Sequence, residues 1–109
     1  IDLIFERDGK YFVADYKSNY LGDNLEDYNQ QSMCEKNRSS FYDLQYLIYT
    51  VALDKYLQQS LTNYNYDEHF GGVYYLYLRG LKNGFGVYQA RPLKAIVAEL
   101  KELFGVGDV

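Results

Sequence analysis

IDLIFERDGKYFVADYK, residues 1–17, decides the fold of this chain. Residues 1–6 form a nearly continuous apolar run that only Asp2 and Glu6 interrupt, and they predict a β-strand. Residues 7–10 predict a turn, because the Asp-Gly pair at its centre is a strong hairpin signal. Residues 11–17 predict a second strand. We therefore expect the two strands to pair as an antiparallel hairpin.

The rest of the chain alternates between helical and extended patterns. We predict a loop at 18–24, a weakly helical polar segment at 25–37, a helix from Phe41 to about Leu61, a polar loop at 63–69, a strand at 72–81, a turn at 82–84, a strand at 85–90 and a helix from Pro92 to about Phe104. This order predicts an α/β fold in which a mixed β-sheet is flanked by helices.

The two longer helices carry clear signals at their ends and along one face. Ser39-Ser40 is predicted as the N-cap of the first, Pro92 as the first position of the second, and Gly105 as its stop. The apolar positions predicted to face the core are Leu44, Leu47, Ile48, Val51, Ala52 and Leu57 in the first helix, and Leu93, Ile96, Val97, Leu100 and Phe104 in the second.

Length and composition limit the class of protein. The 109 residues fit a single domain, residues 1–109. The net charge of -4 argues against a free-standing DNA-binding module with a basic face. A metal-dependent nuclease is less constrained, because its carboxylates collect around a cation.

The setting predicted for the chain is a reducing, cytoplasmic one. Cys34 is the single cysteine and cannot form an internal disulfide, which fits a reducing compartment. The longest apolar run, Val73–Leu78, is too short to span a bilayer. The chain starts at Ile1, inside an apparent strand, with neither an initiator Met nor a signal peptide. We therefore expect it to be part of a larger protein.

Asp2, Asp15 and Lys17 place charges on two otherwise apolar strands. Buried charge is costly unless it is paired or binds a cation. Asp15 and Lys17 are two residues apart and so share a strand face, and the hairpin can bring Asp2 near them. Two carboxylates and a lysine suit Mg²⁺ beside a water that Lys17 would position or deprotonate. A buried Asp–Lys ion pair, or charges on an exposed sheet face, would also fit this pattern.

A resemblance narrows these alternatives. Asp2 followed by Asp15-Tyr16-Lys17 resembles the PD-(D/E)xK nuclease motif. Further matching segments are DLIF at 2–5, DYKSN at 15–19, YDLQYxxY at 42–49 and HFGGVYYL at 69–76. In this order they are similar to one family, the C-terminal nuclease domain of the beta subunit of bacterial exodeoxyribonuclease V, the RecBCD helicase–nuclease. The implied fold is a restriction-endonuclease-like core, truncated at its N-terminus.

The resemblance also implies roles for individual residues. Asp2, Asp15 and the backbone carbonyl of Tyr16 would ligate the metal, and Lys17 would be catalytic together with the two aspartates. The family's Gln-x-x-x-Tyr element is matched by Gln45 and Tyr49, which share one helix face and would lie near the metal site and the DNA backbone. Core packing is the alternative for this pair. His69, the only histidine, is interpreted as a turn or packing residue.

The implied function is Mg²⁺-dependent hydrolysis of DNA phosphodiester bonds, with Mn²⁺ or Ca²⁺ able to substitute in binding. It would serve recombinational repair of double-strand breaks within an ATP-dependent complex with gamma and alpha subunits. ATP binding would belong to other domains, because no Gly-x-x-x-x-Gly-Lys-Ser/Thr loop occurs here. A non-catalytic module of the same fold, contacting DNA or a partner, is the alternative.

Two departures from the family pattern bear on activity. Ile1 stands at the Pro position of the motif, which changes the chemistry little. The family also supplies a His and an acidic residue upstream of Asp2, and the present sequence does not contain them. We therefore expect the isolated chain to be weakly active or inactive, and to self-associate through apolar surface that the missing segment would cover.

Overall fold

Four strands form one mixed sheet in a computed structural model that describes residues 2–105. The strands are β1 (Leu3–Arg7), β2 (Lys10–Lys17), β3 (Phe70–Tyr77) and β4 (Val87–Ala90), and they lie side by side in this order. Strand β1 pairs antiparallel with β2, β2 runs parallel to β3, and β3 pairs antiparallel with β4. The helices are α1 (Gln30–Ser39), α2 (Tyr42–Ser60), α3 (Tyr66–His69) and α4 (Lys94–Leu103), with short 3-10 turns at Leu25–Tyr28 and Leu78–Gly80. The predicted mixed sheet flanked by helices is confirmed.

The N-terminal hairpin forms as predicted. Asp8 (φ 54°) and Gly9 (φ 79°) both have positive φ, as a two-residue hairpin turn of matching twist requires. Leu3 pairs with Ala14 and Arg7 with Lys10, which fixes the register along the hairpin. The start of the predicted first strand includes Ile1, which lies outside the described residues.

The predicted cap of α2 is wrong. Ser39 is the last residue of α1, and the Ser40 amide donates to the carbonyl of Lys36, closing that helix. The polar segment predicted as weakly helical therefore extends through Ser39. The chain reverses at Phe41, which has a φ of 61°, and α2 begins at Tyr42 without a side-chain cap. The end of α1 and the start of α2 thus lie at the position where the sequence predicted only the start of one helix.

The predicted apolar face of α2 is only partly correct. Val51 and Leu57 are buried, as expected. Leu44 and Ile48 remain 53% and 47% exposed, and Ala52 is also exposed. The prediction failed at these positions because the surface that α2 covers on the sheet includes polar groups. The first half of α2 meets them with polar and aromatic side chains rather than with aliphatic ones.

Two boundaries on either side of β3 also differ from the prediction. The predicted loop at 63–69 contains α3, because Asn65 caps it by accepting hydrogen bonds from the amides of Asp67 and Glu68. Strand β3 therefore begins at Phe70, directly after this helix. It ends at Tyr77 rather than residue 81, because the chain turns into the 3-10 segment that follows.

The C-terminal elements are shorter than predicted. Strand β4 begins at Val87, since Phe85 instead closes the turn at 82–84 by bridging to Lys82. Helix α4 begins at Lys94 with Leu93 at its N-cap, so Pro92 precedes the helix rather than opening it. Gly105 adopts a positive φ of 70° just after the helix, as a glycine stop does. Of the predicted apolar face of α4, Val97 is buried whereas Leu93 is 72% exposed.

The hydrophobic core lies between one face of the sheet and the helices. Alternate residues of β2 and β3 point into it, and the four helices and the first 3-10 turn supply the rest. Its most buried members include Val13, Met33, Leu53, Leu57, Phe70, Val73, Tyr75, Tyr77 and Val97. The opposite face carries a stack of Phe5, Phe12 and Tyr74. Within residues 2–105, no helix is long and apolar enough to cross a membrane.

Candidate active site

The hairpin register brings the two aspartates together. Leu3 pairs with Ala14, so continuing the antiparallel register by one step sets Asp2 opposite Asp15. Directly opposed residues of antiparallel strands project their side chains to the same face. The Asp2 carboxylate is fixed by the amide of Tyr16, which donates a 2.8 Å hydrogen bond to Oδ2. Asp2 is exposed and Asp15 is buried, so the pair extends from the protein surface into its interior.

Lys17 lies on the same face of β2 and forms an ion pair with Asp15. Its Nζ is 2.8 Å from Asp15 Oδ2. Asp15 and Lys17 are only 7% and 8% exposed. A charge removed from water at this depth needs a partner, and each supplies one to the other. The ion pair considered as an alternative from the sequence therefore exists, and it lies beside Asp2.

Helix α2 completes the surroundings of this pair with Gln45 and Tyr49. Lys17 Nζ donates a 2.8 Å hydrogen bond to Gln45 Oε1, and the Tyr49 hydroxyl donates a 3.1 Å hydrogen bond to Asp15 Oδ2. The i,i+4 spacing puts both side chains on the helix face that meets β2. The structure thus brings Asp2, Asp15, Lys17, Gln45 and Tyr49 into one cluster.

The protonation of the cluster follows from its contacts. Burial acts to raise the pKa of Asp15, but the Lys17 hydrogen bond, the Lys17 charge and the Tyr49 hydrogen bond outweigh it. The pKa of Asp15 therefore lies below its usual value, and this side chain is a carboxylate at neutral pH. Burial and the neighbouring Asp15 charge raise the pKa of Tyr49 to about 12, so the phenol keeps its proton and acts as a donor.

Two tyrosines to which the sequence analysis gave no site role, Tyr42 and Tyr75, also contact Lys17. The Tyr42 ring lies over the ammonium, with its centroid 3.9 Å from Nζ, and the Tyr75 ring is 5.0 Å away. Tyr42 is one helical turn before Gln45, and Tyr75 is the β3 residue paired with Asp15. The first position could have been found from its i,i+3 spacing to Gln45. The second depends on the parallel register of β2 and β3.

The donor set fits a hard divalent cation. Mg²⁺ is bound in proteins by one or two carboxylates, with water and substrate oxygens completing its ligands. Asp2 and Asp15 supply two such carboxylates, and Lys17 and Tyr49 both contact the same oxygen of Asp15, Oδ2. Among residues 2–105, no group of three or more His, Cys, Asp or Glu side chains forms a metal-binding cluster. The role predicted for the Tyr16 carbonyl stays a prediction.

His69 is in a different environment, at the end of α3. Its Nδ1 accepts a 2.9 Å hydrogen bond from the Asn65 amide, and its ring stacks on Tyr64 with centroids 5.7 Å apart. These contacts hold the turn that leads into β3. They agree with the turn or packing role expected for this histidine.

Comparison with known proteins shows which proteins this chain is similar to. RecB from Haemophilus influenzae is 50% identical over 107 residues, which cover 95% of this chain and 9% of that protein. RecB from Escherichia coli is 44% identical with the same coverage, and RecB from Mycobacterium tuberculosis is 35% identical over 98% of this chain. The chain is similar to one segment of these RecB proteins. The relatives are named as RecB subunits of the RecBCD enzyme, so the resemblance stated from the sequence is confirmed.

The match concerns one segment of RecB. The chain spans 9% of the length of the Haemophilus influenzae and Escherichia coli proteins and 11% of the Mycobacterium tuberculosis protein. No protein-family model matches the chain. The Asp2, Asp15 and Lys17 cluster lies within this segment.

Proposed function

We propose that this chain provides the metal-binding and catalytic residues for Mg²⁺-dependent hydrolysis of DNA phosphodiester bonds. The observation that carries the proposal is the convergence of Asp2, Asp15 and Lys17 on one face of the hairpin. Two carboxylates beside a lysine form an arrangement suited to phosphoryl chemistry. The RecB relatives support a role of this segment in a DNA-processing enzyme.

Each residue of the cluster has a part that follows from its contacts. Asp2 and Asp15 would hold the cation, which when bound neutralises phosphate charge and acidifies water. Tyr49 keeps the Asp15 carboxylate oriented through its hydrogen bond to Oδ2. Gln45 fixes the Lys17 ammonium, which is then placed to orient a water or to stabilise negative charge developing on the phosphate.

The wider role follows from the family. We propose that the parent protein acts as the beta subunit of an exodeoxyribonuclease V, an ATP-dependent helicase–nuclease with gamma and alpha subunits, in recombinational repair of double-strand breaks. Its setting would be the bacterial cytoplasm. Mg²⁺ would be the working ion, and Mn²⁺ or Ca²⁺ would substitute for it in binding. Because the chain spans about a tenth of its relatives, we expect the chain by itself to be weakly active or inactive, and to self-associate.

The test is the change Lys17→Ala in the full-length subunit within its complex. We expect Mg²⁺-dependent cleavage of linear duplex DNA to fall by at least roughly 100-fold, as for loss of a group that acts on developing charge. DNA unwinding driven by ATP should be unchanged. Lys10→Ala is the matched control, because Lys10 lies at the other end of β2 and its Nζ donates to the backbone carbonyls of Asp67 and Glu68. Undiminished cleavage by the Lys17→Ala enzyme would refute the proposal.

A second candidate is a non-catalytic module that contacts DNA or a partner protein. The observation that favours it is the aromatic stack of Phe5, Phe12 and Tyr74 on the sheet face opposite the core. Calorimetric titration of the full-length subunit with Mg²⁺ or Mn²⁺ separates the candidates. Binding that disappears in Asp15→Asn supports the nuclease, and no binding by the unchanged subunit supports the module.

A further inference from the structure

We propose that Tyr42 is a positioning residue for Lys17: its ring face holds the ammonium in place for the cleavage reaction. This inference rests on the proposed function and extends it to a residue outside the aspartates, the lysine and the Gln-x-x-x-Tyr element. The observation behind it is the 3.9 Å distance between Lys17 Nζ and the centroid of the Tyr42 ring. Within residues 2–105, the aromatic rings over this ammonium are those of Tyr42 and Tyr75.

The ring occupies a direction that water would otherwise fill. Lysine has three N–H donors, and Lys17 gives hydrogen bonds to Asp15 Oδ2 and Gln45 Oε1, both at 2.8 Å. Lys17 is only 8% exposed, so the remaining side of the ammonium faces protein rather than bulk solvent. An aromatic face attracts a cation through its quadrupole, and the attraction is greatest where the cation is desolvated. The Tyr42 ring therefore stabilises the third side of a buried charge.

Tyr42 is itself held in place from two sides. Its hydroxyl donates a 3.1 Å hydrogen bond to Asn19 Oδ1, in the loop after β2. Its ring packs against Tyr75 with centroids 5.7 Å apart at 56°. The Tyr75 hydroxyl donates to the Tyr42 carbonyl at 2.7 Å and to Gln45 Oε1 at 3.2 Å. The first turn of α2 is thus fixed to the sheet, and the Tyr42 ring has little freedom to leave the ammonium.

An aromatic ring attracts a cation in a different way than a carboxylate does. Asp15 would be shared with the metal in the proposed function, whereas Tyr42 has no contact with either aspartate among its described interactions. The ring attracts the charge without offering a strong hydrogen-bond acceptor. Lys17 can then keep its position while its N–H groups turn toward a phosphate oxygen or a water. Removing the ring should affect turnover more than DNA binding.

The test compares ring variants at position 42 in the full-length subunit within its complex. For Tyr42→Leu we expect kcat for Mg²⁺-dependent DNA cleavage to fall roughly 10- to 30-fold, with KM for DNA changing less than about 3-fold. Tyr42→Phe keeps the ring face and should retain kcat within about 3-fold. Tyr46→Leu is the matched control, because Tyr46 lies one turn further along α2 and also packs on the core. Its kcat should stay within about 3-fold of the unchanged enzyme.

A second substitution separates ring electrostatics from packing. Pentafluorophenylalanine at position 42 keeps the shape of phenylalanine but removes the negative ring face, so kcat should fall roughly 10-fold below that of Tyr42→Phe. Calorimetric Mg²⁺ binding should be the same in all these variants. Full activity of both Tyr42→Leu and the fluorinated variant, or equal losses in Tyr42→Phe and Tyr42→Leu, would overturn the positioning role. Full activity of Lys17→Ala would instead refute the proposed function.

Discussion

Replacing Gln45 by Leu should destabilise the folded chain by about 1.5–3 kcal/mol, the usual contribution of a hydrogen bond to a charged group. Gln45 Oε1 accepts a 2.8 Å hydrogen bond from Lys17 Nζ. Leucine is of similar size, so the space stays filled, but the ammonium loses one of its two hydrogen-bond acceptors. The Lys17 side chain is only 10% exposed, so water cannot easily replace Gln45. The Tyr75 hydroxyl also loses its 3.2 Å bond to Gln45, but it keeps the Tyr42 carbonyl at 2.7 Å.

Urea unfolding of the 109-residue chain, followed by circular dichroism, measures this free energy. The matched control is Gln59→Leu, because Gln59 is an exposed residue of the same helix. Its unfolding free energy should change by less than about 0.5 kcal/mol. Equal unfolding free energies for the two variants would show that the Gln45–Lys17 hydrogen bond adds no stability. The assigned role of Gln45 in holding the lysine would then be wrong.

Two further predictions concern the opposite side of α2 and the tyrosines. Lys101→Met should lower the unfolding free energy by about 3–5 kcal/mol, because it leaves the buried Asp54 carboxylate without its ion pair. The control is Lys94→Met, on the exposed side of α4, which should change the unfolding free energy by less than about 0.5 kcal/mol. Equal urea midpoints for the two would contradict this. Burial raises the pKa of Tyr66 to about 12, although the nearby Arg91 charge acts to lower it. The folded state therefore holds the Tyr66 hydroxyl proton more tightly than the unfolded state does. The resulting stability is complete below about pH 10 and is lost as the pH rises toward about 12; the tyrosinate absorbance that Tyr66→Phe removes should then appear together with unfolding, and its appearance near pH 10 in the folded chain would refute it.

The sequence predicted the hairpin and the carboxylate–lysine trio because both depend on local rules. A two-residue turn with Asp-Gly fixes the register, and strand alternation puts Asp15 and Lys17 on one face. The register then sets Asp2 opposite Asp15. The family resemblance added Gln45 and Tyr49, and the structure brings both to the trio. Whether these residues bind metal and cleave DNA stays a prediction.

The errors along the chain have a common cause in long-range contacts. Leu44 and Ile48 have the spacing of a core face but lie at the surface, because α2 turns polar and aromatic residues toward β2. The start of α2 at Tyr42 depends on Phe41, a left-handed residue between two helices, which no cap motif marks. Strand β3 stops at Tyr77 because the chain turns away there, although Leu78 would continue the apolar pattern.

By itself, then, the sequence determined the strands, their turn and the face that carries Asp15 and Lys17, since these follow from neighbours a few residues apart. Only the tertiary structure decided what surrounds the lysine. Tyr75 reaches it through the parallel pairing of β2 with β3, and Tyr42 through the packing of α2 on the sheet. Parallel pairing joins segments separated by more than 50 residues, as Asp15 and Tyr75 show. The register of such a pair is set by the packing of the whole crossover, and no local pattern in the sequence encodes it.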